Sequence, residues 1–233
     1  MTTIRAQNIS IKLSNHKFLG TTEIIKNLSF ELKEGDRLAL IGPNGAGKTT
    51  LLHAIAGILP PASGTLDVSG HVSALFHLSV GQRRECTGRR NMIIRSLLTG
   101  HKWSDIQEKL PEMVEFADIG DAIDDPMETY SQGMAMRVIF AAATAFHPEI
   151  LLMDEWLGVG DERFRQKSGA RLEQLTENSG ILVLATHHQR LSREQCNLGL
   201  YLENGESIFF GDINECWDYY LDSISNQPAV ASA

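Results

Sequence analysis

Short apolar runs alternate along this chain with longer stretches of helical periodicity. The apolar runs predict strands at Asn27–Leu32, Arg37–Ile41, Thr65–Val68, Val72–Phe76, Ile150–Met153, Ile181–Ala185, Leu198–Glu203 and Ser207–Phe210. The periodic stretches predict helices at Thr50–Ala56, Asn91–Leu98, Trp103–Ala117, Met134–Phe146, Arg163–Leu175 and Asn214–Leu221. This order is typical of an α/β core, and the helical block at about residues 86–148 is typical of an insertion into it.

Composition narrows the class of protein. The chain has 233 residues, of which 42% are hydrophobic and 21% charged, so one large globular domain is expected. A net charge of −8 disfavours a general nucleic-acid binder, which usually carries a basic surface. The three cysteines form no Cys-x-x-Cys pair, and we expect reduced thiols. Because the sequence has neither a signal peptide nor a membrane-spanning run, we expect a cytoplasmic chain that serves a membrane only through a partner.

A glycine-rich segment follows the predicted strand Arg37–Ile41 and opens a helix. It fits G-x-x-x-x-G-K-[ST] in full, and its residues are Gly42, Pro43, Asn44, Gly45, Ala46, Gly47, Lys48 and Thr49, with Thr50 next. In such a loop the backbone amides and the helix N-terminus point at a phosphate. Lys48 is expected to reach the β- and γ-phosphates, and the Thr49 hydroxyl to ligate Mg²⁺.

Two carboxylates follow a buried strand. Asp154 and Glu155 come directly after Ile150–Met153, at the carboxyl end where parallel sheets bind ligands. Asp154 is expected to hold Mg²⁺ through water, and Glu155 to accept a proton from an attacking water. A solvated pair that caps the next helix is the alternative, and the phosphate loop makes it the weaker one.

These motifs, together with Tyr130-Ser131-Gln132-Gly133-Met134 between them, resemble those of ABC-type ATPases. The form Tyr-Ser-x-Gly-Met is similar to the ATP-binding subunits of the polysaccharide exporters of O-antigen, capsule and teichoic acid. Thr87-Gly88-Arg89-Arg90-Asn91 and the segment from Asp154 to Phe164 also resemble motifs of this group. Arg90 stands where the group usually has glutamate.

The resemblance implies an α/β fold of a P-loop NTPase of ABC type. It has a RecA-like mononucleotide core, an antiparallel β subdomain and a helical subdomain at about residues 86–148. The single ATPase domain would span residues 1–222, followed by a flexible tail at 223–233 that is too short for the glycan-binding β-sandwich of some members.

The resemblance also implies ATP and Mg²⁺ as cofactors and a head-to-tail homodimer. The signature residues Ser131, Gln132, Gly133 and Met134 of one copy would contact ATP bound to the other copy. Ser131 is also a good N-cap for the helix after it, and an ordinary cap without a ligand is the alternative. Asp161 would couple the two sites, with a plain cap near Arg163 as the alternative.

Two histidines occupy positions to which the resemblance gives a role. His187 stands where the family places its switch histidine, and we favour it over the adjacent His188 by strand register. His77 occupies the place of the family's Mg²⁺-contacting glutamine, whereas Gln82 comes five residues later, so His77 is the candidate for this metal contact.

The residue that contacts adenine is unassigned. Leu13 stands nearest to the expected aromatic position, and His16 and Phe18 are alternatives.

The function implied is ATP hydrolysis that drives export of a lipid-linked polysaccharide. Two of these chains would join two chains of a separate integral-membrane permease, on the cytoplasmic face of the inner membrane, without nucleic acid. An exporter of drugs or lipids and a soluble ABC protein acting on ribosomes or DNA are the alternatives. The five arginines of the basic cluster would contact the partner or lipid head groups, or form a solvated face; they are Arg83, Arg84, Arg89, Arg90 and Arg95.

Overall fold

A computed structural model describes residues 1–15, 20–76, 78–79, 81–155 and 161–225. The chain forms two compact units. The first comprises Met1–Ala74, Glu149–Trp156 and Ser179–Ala233, and the second comprises Leu75–Pro148 and Leu157–Asn178. The described strands are β1 (Thr3–Asn15), β2 (Gly20–Lys33), β3 (Arg37–Ile41), β4 (Ser63–Ser69), β5 (Val72–Ala74), β6 (Ile150–Asp154), β7 (Ile181–Ala185), β8 (Leu198–Glu203) and β9 (Glu206–Asp212).

The first unit is built on a six-stranded sheet of order β5-β6-β7-β3-β8-β9, parallel except for β9. Its central strands are apolar throughout because both faces are covered, and residues 150–153 and 181–184 have no exposed surface. Parallel strands bring their carboxyl ends to one edge of the sheet. The ends of β3, β6 and β7 are therefore neighbours, since β7 pairs with both of the others.

A second sheet of this unit is antiparallel, with the order β2-β1-β4. β2 runs from Gly20, well before the predicted start at Asn27, and β1 was not predicted. The described residues of this unit also form the helices α1 (Lys48–Ile55), α6 (Gln189–Gln195) and α7 (Ile213–Ser225). α7 includes residues 223–225, so helix replaces the start of the predicted flexible tail.

The second unit is helical. Its helices are α2 (Gly88–Leu98), α3 (Trp103–Ala117), α4 (Gln132–Ala143) and α5 (Glu162–Asn178), with short 3₁₀ turns between α3 and α4. Phe116, Phe140 and Phe164 come from three of these helices and pack with ring centroids 5.7–6.0 Å apart. All three rings are buried, so this cluster forms the centre of the unit's core. Among the residues that the structure describes, no helix has the length and apolar character needed to cross a bilayer.

Candidate active site

The glycine-rich loop leaves β3 and leads into α1, as the motif requires. Gly42 has φ 142°, and a Cβ there would lie 2.1 Å from the backbone oxygen of Leu202. Gly47 has φ 107°, and its Cβ would lie 2.6 Å from Cδ1 of Ile25. Both positions combine a left-handed backbone with too little space, so only glycine fits them.

Lys48 is the first residue of α1, and only 8% of its surface is exposed. Its Nζ donates hydrogen bonds to the carbonyl oxygens of Gly42 (2.6 Å) and Pro43 (3.0 Å). Burial is the main cause that lowers the pKa of Lys48 from 10.5, whereas the nearby carboxylates of Asp154 and Glu155 raise it. A bound phosphate would supply the negative charge that this partly desolvated ammonium lacks.

Thr49 and Asp154 are 105 residues apart in the sequence but meet in the structure. The Thr49 hydroxyl donates a hydrogen bond of 2.7 Å to Oδ2 of Asp154, at the carboxyl end of β6. The pair thus presents a hydroxyl and a carboxylate oxygen next to the phosphate loop, which are ligands that suit a small hard cation such as Mg²⁺.

Glu155 has an unusual backbone conformation for a residue with a side chain, with φ 67°. Its N–H donates a hydrogen bond of 2.8 Å to the carbonyl oxygen of Ala185, at the end of β7. Its carboxylate Oε2 accepts a hydrogen bond of 3.2 Å from the hydroxyl of Thr186. The end of β7 therefore holds both the backbone and the side chain of Glu155.

The loop and the carboxylates line one cavity of about 470 Å³, a size typical of small-molecule sites. Its lining residues are Ile24, Asn44, Gly45, Ala46, Gly47, Lys48, Thr49, Thr50, Asp154, Glu155 and His187. His187 lines the cavity, and its role as the switch histidine stays a prediction. The backbone N–H of the adjacent His188 instead donates to the hydroxyl of Thr186, and His188 is the N-cap residue of α6. Ile24 was not predicted, because it lies on a strand without a motif.

One further predicted position lies away from the cavity. Leu13 is part of β1 and is not among the residues that line the cavity. His77, His16 and Phe18 lie outside the described residues, so their assignments remain predictions.

The signature residues belong to the second unit and open α4. The Ser131 hydroxyl accepts a hydrogen bond of 3.2 Å from the N–H of Met134, which makes Ser131 the N-cap of α4. Gln132, Gly133 and Met134 form the first turn of the helix. The contact of these four residues with ATP of a second copy stays a prediction.

Asp161 caps α5, since its Oδ1 accepts a hydrogen bond of 3.0 Å from the N–H of Phe164. Its Oδ2 lies 2.5 Å from Nη2 of Arg137 on α4, whose guanidinium also stacks on the ring of Phe164. The bond from Phe164 and the one from Arg137 hold the pKa of Asp161 below its usual range. Asp161 therefore acts at least as a cap, and its coupling role stays a prediction.

The predicted arginine cluster divides into two groups. Arg95 is buried and donates to the carbonyl oxygen of Leu78, and Arg89 makes a two-point ion pair with Asp124 at 2.7 and 2.9 Å. The other members are exposed, and they are Arg83, Arg84 and Arg90. Of the five arginines, these three are exposed and form no ion pair among the described residues.

Two of the sequence motifs are in contact in the second unit. The hydroxyl of Tyr130, which precedes Ser131, accepts a hydrogen bond of 3.1 Å from the N–H of Gly88 and donates one of 2.5 Å to the oxygen of Ala122. A Cβ on Gly88 would lie 2.6 Å from this hydroxyl oxygen. The Tyr130 hydroxyl therefore leaves little room for a side chain larger than glycine at residue 88. Its hydrogen bond with Gly88 joins the start of α2 to the residue that precedes the signature.

Gly88→Ala is expected to lower the free energy of unfolding by about 1–3 kcal/mol, because the methyl group overpacks this contact. Gly169→Ala on α5 is the matched control, since nothing lies within 4 Å of its Cβ, and it is expected to stabilise by about 0.5–1 kcal/mol. Urea denaturation measures both. The double variant that also carries Tyr130→Phe should lose less stability than the sum of the losses of the two single variants. Equal stability of the two alanine variants would contradict the contact.

Comparisons with known proteins place the chain in a family. The sequence profile of the ABC transporter family matches residues 25–158. The chain is 43% identical over 185 residues to the O-antigen export system ATP-binding protein RfbE of Yersinia enterocolitica, a match that covers 79% of this chain and 77% of RfbE. It is 36% identical over 201 residues to the teichoic acids export ATP-binding protein TagH of Shouchella clausii, covering 86% of this chain and 56% of TagH.

Solved structures agree on the fold. The structure of an ATP-binding subunit of an ABC transporter matches with a TM-score of 0.74 and 21% identity, covering 95% of this chain and 97% of that one. A dimeric post-hydrolysis structure of the ATP-binding cassette MJ0796, bound to ADP and Pi, matches with a TM-score of 0.69 and 19% identity, covering 90% and 98%. The chain thus belongs to the ABC transporter family and is an ABC-type ATPase, which confirms the predicted family and fold class.

Proposed function

We propose that this ATPase powers the export of a lipid-linked polysaccharide through a separate integral-membrane permease. The observation that carries the proposal is the cavity in which Lys48, Thr49 and Asp154 meet Glu155 and His187. The substrate class is suggested by the names of RfbE, an O-antigen export system ATP-binding protein, and TagH, a teichoic acids export ATP-binding protein. The alternative of a drug or lipid exporter is not favoured, because Tyr130–Met134 has the form typical of polysaccharide exporters.

The residues of the cavity divide the work of hydrolysis among them. The loop amides and Lys48 neutralise the phosphates of ATP. Glu155 accepts the proton of the attacking water, and His187 helps to orient that water toward the γ-phosphate. Thr49 and Asp154 would hold Mg²⁺, which neutralises phosphate charge when it is bound. His77 is a further candidate for that metal contact.

The proposed assembly has two copies of this chain and two permease chains, on the cytoplasmic face of the inner membrane. MJ0796 forms a dimer, and a head-to-tail dimer of this chain would bring Ser131 and the first turn of α4 of one copy to ATP bound by the other. Asp161 would then connect the two sites. No nucleic acid takes part.

Deletion of the gene in its own host tests the function. We expect loss of polysaccharide from the cell surface and accumulation of the lipid-linked polymer inside, with rescue by the intact gene and no rescue by Lys48→Met. Surface polymer at the normal level in the deletion strain would refute the proposed substrate. That result would not affect the conclusion that the purified chain hydrolyses ATP.

The exposed arginines test the permease contact. We expect a triple variant to lose export and co-purification with the permease; its changes are Arg83→Glu, Arg84→Glu and Arg90→Glu. Three exposed arginines are complementary to an acidic surface on the permease, and glutamates in their place would repel it. The basal ATPase activity of the purified subunit should change less than about twofold, since none of the three lines the cavity.

The matched control reverses three exposed cations elsewhere, Lys12, Lys33 and Arg190, and so changes the net charge equally. Export by this control should remain normal. Equal loss of export in both triple variants would mean that total charge, rather than this surface, matters.

A further inference from the structure

We propose that Thr186 is a positioning residue for ATP hydrolysis, and that its hydroxyl fixes the carboxylate of Glu155 in the orientation that receives the proton of water. The inference rests on the proposed role of Glu155. Thr186 lies one residue beyond β7, directly before His187, and has 1% of its surface exposed.

The two hydrogen bonds of the Thr186 hydroxyl fix the direction of its proton. A threonine hydroxyl donates one hydrogen bond and accepts others. Here Oγ1 accepts the backbone N–H of His188 at 3.1 Å. Its proton is then free for Oε2 of Glu155 at 3.2 Å, and an ionised carboxylate can only accept. The contact therefore holds the carboxylate of Glu155 in one orientation, which is what a general base needs in order to face its water.

The backbone around Thr186 makes it a rigid support. Its N–H lies 3.4 Å from the carbonyl oxygen of Leu40 on β3, the strand that leads into the phosphate loop. The preceding residue, Ala185, accepts the N–H of Glu155. Thr186 thus stands between β3 and β6: its backbone N–H contacts the strand that leads into the phosphate loop, and its hydroxyl contacts the proposed base.

Loss of the hydroxyl would free the end of a long side chain. A glutamate that regains its rotamers spends less time in the productive orientation, and a misplaced group costs up to about 10²-fold in rate. Nothing in this change removes a contact to the phosphates, because Thr186 is not among the residues that line the cavity. The expected signature is therefore a lower kcat with nearly unchanged ATP binding.

The test compares Thr186→Val, which keeps the shape and removes the hydroxyl, with Thr186→Ser, which keeps the hydroxyl. The variants are purified as full chains, and steady-state ATPase kinetics and ATP calorimetry are measured. We expect kcat to fall about 10- to 10²-fold in the valine variant, with KM and ATP affinity within about threefold. The serine variant should retain kcat within about threefold. Thr186→Ala serves the same comparison if the valine variant does not fold.

A second comparison places both changes in one chain. If Thr186 acts through Glu155, Thr186→Val should cause no further loss in the Glu155→Gln background. Full additivity, a serine variant as slow as the valine variant, or a valine variant with normal kcat would each overturn the proposal. In the last case a slow Glu155→Gln variant would leave the proposed function intact. If Thr186→Val and Glu155→Gln both turned over ATP at the normal rate, Glu155 would not be the base, and the role proposed for Thr186 would also be wrong.

Discussion

Glu155→Gln is expected to reduce ATP turnover by about 10² to 10⁴-fold while ATP binding remains. Glutamine keeps the size of the side chain and can still accept from Thr186, but it cannot take a proton from water. The contacts of the phosphates with Lys48 and the loop amides are untouched. Purified variant and wild type are compared by phosphate release and by nucleotide calorimetry.

The same variant tests the proposed dimer. If ATP holds two copies together and hydrolysis releases them, the ATP-bound dimer of Glu155→Gln should persist in size-exclusion chromatography. Glu162→Gln is the matched control, since this exposed carboxylate lies outside the cavity and, within the part of the chain that the structure describes, pairs only with Arg165 at i,i+3. Near-normal hydrolysis by Glu155→Gln would show that another group is the base.

The strands of the parallel sheet could be predicted from the sequence, whereas β1 could not. The reason is that the alternation of buried and exposed positions is interrupted within β1. Ile4 and Ala6 are buried on one side of a bulge, and Ile9 and Ile11 continue on the other. Asn8 lies between them with φ 50° and shifts the register. The bulge moves the apolar positions from even to odd numbers, so the period of two that marks a strand is lost.

The residues of the candidate site likewise fall into those that could be predicted from the sequence and those that could not. The phosphate loop is contiguous and its chemistry depends on residue types at fixed spacing, so Gly42 to Thr50 could be found from the sequence. Ile24 and Thr186 reach the site only through the pairing of strands. An isoleucine in a strand and a threonine after one carry no distinctive pattern, and their positions follow from the tertiary structure alone.

Charge patterns were the least informative part of the sequence. Arg89 and Arg95 belong to the same basic run as the exposed arginines, yet one pairs with Asp124 and the other is buried against Leu78. Burial is the main cause that lowers the pKa of Arg95. A run of like charges therefore does not define a surface until the helix phase and the local carboxylates are known.

Lys48→Met is expected to weaken ATP binding by about 10²-fold or more. The ammonium is largely buried and is held by the carbonyl oxygens of Gly42 and Pro43, so it faces the loop before any phosphate arrives. Methionine has a similar length but no charge, and a lost charged hydrogen bond to a phosphate in a poorly solvated site costs about 1.5–3 kcal/mol for each contact.

Calorimetry with ATP measures this loss, and circular dichroism checks that the variant is folded. Lys26→Met is the matched control, because this half-buried lysine pairs only with Glu206 among the described residues and lies outside the cavity. The control should bind ATP within about twofold of the wild type. A Lys48→Met variant that is folded and binds ATP as tightly as the control would show that the loop amides alone hold the phosphates, and the role assigned to Lys48 would then be wrong.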